Sequence, residues 1–203
     1  MILLPSVRYS SVRLHQEPAW RRITPGSDLS VPKQWRGWLL DRGSLTQRLI
    51  HASEGNFAVQ VLRQKLDTPK LSERRALGLA TRRVALIREV ILLGNSVPWV
   101  YARSVIPLST LTGRLRSLRH LDNKPLGALL FEDPTMRREP VEVACHTHAN
   151  RQLPAKLGKL DAPLWGRRSV FRLDQKPLLV SEVFLPGFKP YNQNLCFGYL
   201  PKP

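Results

Sequence analysis

Ala85-Leu86-Ile87-Arg88-Glu89-Val90-Ile91-Leu92-Leu93 is the stretch on which the fold turns. Read with a period of two, it is a β-strand. Leu86, Arg88, Val90 and Leu92 share one face, and Ala85, Ile87, Glu89 and Ile91 share the other. The first face is apolar except for one guanidinium. A cation that faces a core needs a paired or bound anion, because an isolated buried charge is very costly. Near the C-terminus a second strand reads Leu178-Leu179-Val180-Ser181-Glu182-Val183-Phe184-Leu185, and there Glu182 shares a face with Leu178, Val180 and Phe184. Two strands thus each carry one charge, of opposite sign, among apolar side chains. Two readings fit this signature: a structural ion pair, or a pocket holding an anionic group at Arg88 and a hydroxyl at Glu182.

The neighbouring elements follow from turn chemistry. Gly94-Asn95-Ser96 is a tight turn, so Trp99 to Ile106 returns as the hairpin partner of the first strand, closed by Pro107. Trp165 to Leu173, with a turn at Asp174-Gln175-Lys176-Pro177, makes a second hairpin with the Glu182 strand. Phe57 to Leu66 and Val141 to Cys145 also alternate as strands. A helix opens near Pro32, where Trp35, Trp38 and Leu39 fall at helical spacing. Ser44, with Gln47 three residues on, caps a second helix running from Leu45 to His51. Leu71 to Leu79 is ambiguous, with a capping residue at Ser72 and a glycine at Gly78. Ser109-Thr110 is expected to cap a helix carrying Leu111, Leu115 and Leu118, and Lys124-Pro125-Leu126-Gly127 opens another. Hairpins with helices between them, in place of alternating βαβ units, predict an α+β fold with an antiparallel sheet.

Length and composition bound the rest. The 203 residues suit one domain with appendages, here an arm at 1–30, a body at 31–186 and a tail at 187–203. Trp20 in the arm is expected to dock on the body. No run of about 18 apolar residues occurs, so no transmembrane helix is expected. Cys145 and Cys196 do not make a disulfide framework, which suits a reducing cytoplasm. The net charge of +17 is mostly arginine, in pairs such as Arg21-Arg22, Arg74-Arg75, Arg82-Arg83, Arg137-Arg138 and Arg167-Arg168. Neither an aromatic-basic pattern for base stacking nor a helix-turn-helix or zinc-finger spacing accompanies it. The pairs read as solvated surface, and no nucleic-acid partner is expected.

Few motifs carry chemistry. Cys145-His146-Thr147-His148 groups three potential metal ligands, but no second motif completes a tetrahedral set, and no metal is expected. Neither a nucleophile elbow nor a phosphate-binding glycine loop is present. Arg88 and Glu182 remain the one pair that packing alone does not explain.

The residues around that pair carry a resemblance. Leu86-Ile87-Arg88-Glu89-Val90-Ile91-Leu92, Pro98-Trp99 and Arg103-Ser104-Val105-Ile106-Pro107 are similar to blocks of the chorismate pyruvate-lyase (chorismate lyase) family. So are Lys124 to Phe131, Leu164-Trp165-Gly166-Arg167-Arg168-Ser169 and Lys176 to Pro186. The resemblance implies about six antiparallel strands with helices covering one side and enclosing a ligand pocket. It implies a monomeric enzyme that cleaves chorismate to 4-hydroxybenzoate and pyruvate, without cofactor, for ubiquinone or plastoquinone synthesis. It assigns Arg88 to the ring carboxylate, the backbone amides of Leu45 and Leu126 to the same group, and Glu182 to the ring hydroxyl, with Arg88 and Glu182 as the catalytic pair. Two departures stand out: Leu45 replaces a frequent methionine, and the basic segment from Thr147 to Leu160 is longer than the family's usual connection. Effector-binding domains of certain transcription regulators resemble this fold too, so a non-catalytic sensor of small aromatic acids is the competing expectation.

Overall fold

Asn95 and Ser96 both adopt left-handed backbone, at φ 52° and 64°, and join the quoted strand to its partner in a two-residue hairpin. Such turns match the right-handed twist of the strands they connect. This hairpin is the centre of a computed structural model that describes residues 17–23, 30–147, 153, 154, 157 and 162–190. The elements in chain order are β1 (Arg21–Arg22), α1 (Lys33–Leu39), α2 (Leu45–Ala52), β2 (Phe57–Asp67), α3 (Leu71–Leu77), β3 (Ala85–Gly94) and β4 (Val97–Pro107). A 3-10 helix (Gly113–Arg119), α4 (Leu126–Glu132), β5 (Arg137–Arg138), β6 (Glu142–His146), β7 (Leu164–Leu173) and β8 (Lys176–Phe184) follow.

All strand pairings are antiparallel, in the order β1-β6-β7-β8-β4-β3-β2, with β5 also on β7. The expected α+β class and its six long strands are therefore present, with β1 and β5 as two-residue additions. Asp174 and Gln175, both at positive φ, form the turn between β7 and β8, and the strand resumes at Lys176.

The alternation read from the sequence sorts the core. Leu86, Val90 and Leu92 pack under α1, α2, the 3-10 helix and α4, together with Trp38, Leu39, Leu49, Leu115 and Leu130. Ala85, Val105, Val170 and Leu179 pack on the opposite face under Leu77 of α3. Among the described residues, four helical segments thus cover one face and α3 lies on the other.

Some local expectations change. Ser72 does not cap α3: the helix begins at Leu71, and the Lys70 amide donates to Glu73 Oε2 at 2.8 Å. Gly78, at φ 63°, ends it. Ser109 and Thr110 do not cap the next helix, which is 3-10 and starts at Gly113. Buried Thr110 instead donates to the Pro177 carbonyl at 2.7 Å. Ser44 does cap α2, accepting from the Gln47 amide at 3.3 Å. Trp20 docks on the body, its ring 5.5 Å from that of His146 and 4.6 Å below the Arg168 guanidinium.

Candidate active site

The helix-covered face of the sheet does not close completely. A cavity with about 520 Å³ of space free of protein atoms, counted to its mouth, lies between the strands and the first turns of α2 and α4. Strand register builds its floor. Val90, Ala102, Glu182 and Arg167 are successive partners across β3, β4, β8 and β7. Two residues along, Arg88, Ser104 and Val180 form a second row. All seven residues line the cavity.

Arg88 and Glu182 therefore sit on one face with β4 between their strands. Strand spacing and rise put their α-carbons roughly 12 Å apart on the diagonal. Both side chains line the cavity, together with Ala102 of the intervening strand. Arg88 is 2% exposed, and its Nη2 donates to the carbonyls of Asp122 at 2.8 Å and Lys124 at 3.0 Å. Its Nε is buried and makes no hydrogen bond to a described residue. Among the described residues it makes no ion pair. Burial holds this guanidinium below its ordinary pKa, and the charge of Asp122 partly opposes that.

Glu182 is not the partner of Arg88. Its Oε2 accepts from Arg167 Nε at 2.7 Å, and its Oε1 accepts no hydrogen bond from the described residues. Arg167 is 1% exposed and is fixed further by the carbonyls of Trp38 at 2.8 Å and Asp41 at 3.0 Å. The Arg88–Glu182 ion pair considered from the sequence does not form, and both groups face the cavity instead.

Leu45 and Leu126 also line the cavity, each the first residue of its helix. Amides in a first turn have no partner within the helix. The two turns approach closely: a Cβ at Gly127 would stand 2.5 Å from Thr46 Oγ1.

Two cavity residues escaped the sequence reading. The pair Arg167-Arg168 reads as solvated surface in the sequence, yet both are buried, at 1% and 6% exposure. Arg168 is held by Glu142 at 2.6 Å on the other face of β7. Arg138, on β5, lines the cavity beside Phe171, with its guanidinium 5.2 Å over that ring. The alternation of β7 held the missing signal, since Arg167 shares a face with Ser169 and Phe171.

Cys145 and His146 fall on opposite faces of β6, while His148 and Cys196 lie outside the described residues. Among the described residues no three of His, Cys, Asp and Glu come together as metal ligands. No helix among them is long and apolar enough to cross a membrane.

Comparison with known proteins bears on the fold and the family. The effector domain of PhnF from Mycobacterium smegmatis superposes with a TM-score of 0.51 at 15% identity, over 72% of this chain and 91% of that one, a likeness of fold alone. A protein of Aromatoleum aromaticum named "Probable chorismate pyruvate-lyase" is 40% identical over 86% of this chain and 95% of its own length. Proteins of the same name from Azoarcus sp. and Methylococcus capsulatus are 44% and 43% identical, over 78% and 74% of this chain and 87% and 93% of theirs. The family described as Chorismate lyase matches residues 14–194, and the chain belongs to that family.

Proposed function

We propose that the protein is a chorismate pyruvate-lyase, eliminating pyruvate from chorismate to leave 4-hydroxybenzoate, an aromatic precursor for quinone synthesis. One observation carries this reading. A buried guanidinium that makes no ion pair among the described residues shares a cavity with a carboxylate whose second oxygen accepts no hydrogen bond from them.

The chemistry needs little beyond that. Chorismate carries a ring carboxylate, a hydroxyl on the opposite carbon and an enolpyruvyl ether on the carbon beside the hydroxyl. Breaking the ether carbon–oxygen bond at the ring and removing the proton from the hydroxyl-bearing carbon makes the ring aromatic. The leaving enol becomes pyruvate. Aromatisation drives the reaction, so the protein's task is to orient the substrate and hold it dry. Arg88 offers a planar fork to the ring carboxylate, and the amides of Leu45 and Leu126 add two donors. Glu182, aimed by Arg167, accepts from the hydroxyl and stands beside the carbon that loses its proton. Val90, Leu92, Ala102 and Phe171 supply the apolar walls.

The test is to incubate folded protein with chorismate and follow pyruvate and 4-hydroxybenzoate together. Equal amounts of both, above the uncatalysed background, are expected. Tight 4-hydroxybenzoate binding with chorismate left intact would replace this reading with that of a sensor.

A further inference from the structure

We infer that Arg138 is the binding group for a second substrate carboxylate, the one carried on the ether arm that departs. This deepens the lyase reading and rests on it. Three guanidinium groups line the cavity, those of Arg88, Arg138 and Arg167, against the single carboxylate of Glu182. Two positive charges are therefore in excess. A dianionic substrate balances them, whereas a benzoate alone leaves one uncompensated.

The partners of each cation decide which one meets the arm. Arg167 is occupied by Glu182 and two backbone carbonyls. Arg88 belongs to the ring carboxylate. Arg138 is held only loosely: its Nε donates to Ser169 Oγ at 3.1 Å, and its Nη1 reaches the carbonyls of Asp41 and Gly43 at 3.4 Å. Its Nη2 donates to no described protein atom, and among the described residues it makes no ion pair. The nearby Asp41 carboxylate is taken by Arg48, at 3.5 Å. Burial, with Arg167 close by, holds Arg138 down at about 10, which still leaves it charged at neutral pH. A half-buried cation beside a like charge is costly, and an arriving anion relieves that cost.

Position agrees with charge. Arg138 reaches the Asp41 carbonyl that also accepts from Arg167, the partner of Glu182, and its strand lies beside β7, with β8 and β4 between it and β3, so it lies toward the Glu182 side of the cavity and away from Arg88. The ether arm leaves the ring carbon next to the hydroxyl that Glu182 accepts, so its carboxylate falls at that same end. Guanidinium and carboxylate then meet in the two-pronged geometry that arginine provides.

The test compares two stable ligands, 4-hydroxybenzoate and 3-(carboxymethoxy)-4-hydroxybenzoate, on wild-type protein, R138M and R138K, alongside chorismate kinetics. R138M should weaken the dicarboxylate and raise KM for chorismate by about 30-fold, the loss of a charge-assisted bond. Binding of 4-hydroxybenzoate should stay within about threefold of wild type. R138K, which keeps the charge without the fork, should fall between the two and serves alone if R138M does not fold. Equal weakening of both ligands, or of neither, would overturn the assignment. Failure of the lyase reading looks different: the ligand discrimination would persist in wild-type protein that releases no pyruvate from chorismate.

Discussion

Glu182 and Arg167 are direct register partners across β7 and β8, joined through Oε2 and Nε at 2.7 Å. The pair fixes the direction of the carboxylate while leaving Oε1 to the cavity. Substitution of either member should therefore cost stability as well as activity, because each leaves the other's charge buried and unpaired. E182Q keeps an acceptor for Arg167 but loses the charge, so kcat should fall by about 100-fold and stability by about 3 kcal/mol. R167M strands a carboxylate in a largely buried site, so it should cost about 3 kcal/mol of stability as well as activity. Thermal unfolding and turnover measured on both variants check this coupling.

Arg88 is predicted to contribute to binding far more than to folding. Replacing it with methionine removes the proposed counterion of the ring carboxylate, worth roughly 2 kcal/mol or more, so ligand affinity should drop at least about 30-fold. Folding stability should change little. The variant loses two bonds to carbonyls but also relieves the cost of burying an unpaired charge. Isothermal titration with 4-hydroxybenzoate beside denaturant unfolding separates the two effects.

The opposite face of the sheet carries charges of another kind. Arg103 donates to Glu73 at 2.7 and 3.1 Å and to Glu89 at 2.6 Å, and Tyr101 donates to Glu89 at 2.9 Å. This network ties α3 to β3 and β4. Breaking it by R103M removes this counterion from buried Glu73 and leaves Glu89 to Arg63, which stands 3.0 Å away, and should cost about 3 kcal/mol. The urea midpoint of unfolding reads that loss.

His146 makes stability depend on acid. It is 7% exposed, and neither ring nitrogen makes a hydrogen bond to a described residue. Burial, with Lys70 nearby, pushes its pKa down from 6.5 to about 4. The unfolded chain therefore takes up this proton first. The stability linked to His146 is complete above pH 6.5 and is lost as pH falls toward 4, by up to roughly 3 kcal/mol. Unfolding free energies between pH 7 and 4 should fall less steeply in H146F than in wild-type protein. Equal slopes would mean that His146 does not carry the effect.

Much of this was legible in the chain because a period of two survives burial. The alternation around Arg88 and Glu182 placed each among the apolar side chains of its own strand, and Asn95-Ser96 marked the hairpin. Arg167 and Arg138 were not legible as site residues. A run of adjacent arginines looks like solvated surface until cross-strand register shows which of them turn inward. Arg167 reaches its partner Glu182 across a strand pair, and Arg138 belongs to a two-residue strand too short to show a period. Thr110 misled for a related reason: a threonine before a leucine-rich helix suits a cap, but its hydroxyl serves the Pro177 carbonyl, distant in sequence.

The central claim is that Arg88 and Glu182 grip opposite ends of one aromatic acid inside the cavity. A crystal structure with 4-hydroxybenzoate bound tests it most directly. The expected result is the ring over Ala102, with its carboxylate on the Arg88 guanidinium and its hydroxyl on Glu182 Oε1. A ligand seated outside the cavity, or with its carboxylate on Arg138 and its hydroxyl toward Arg88, would contradict it.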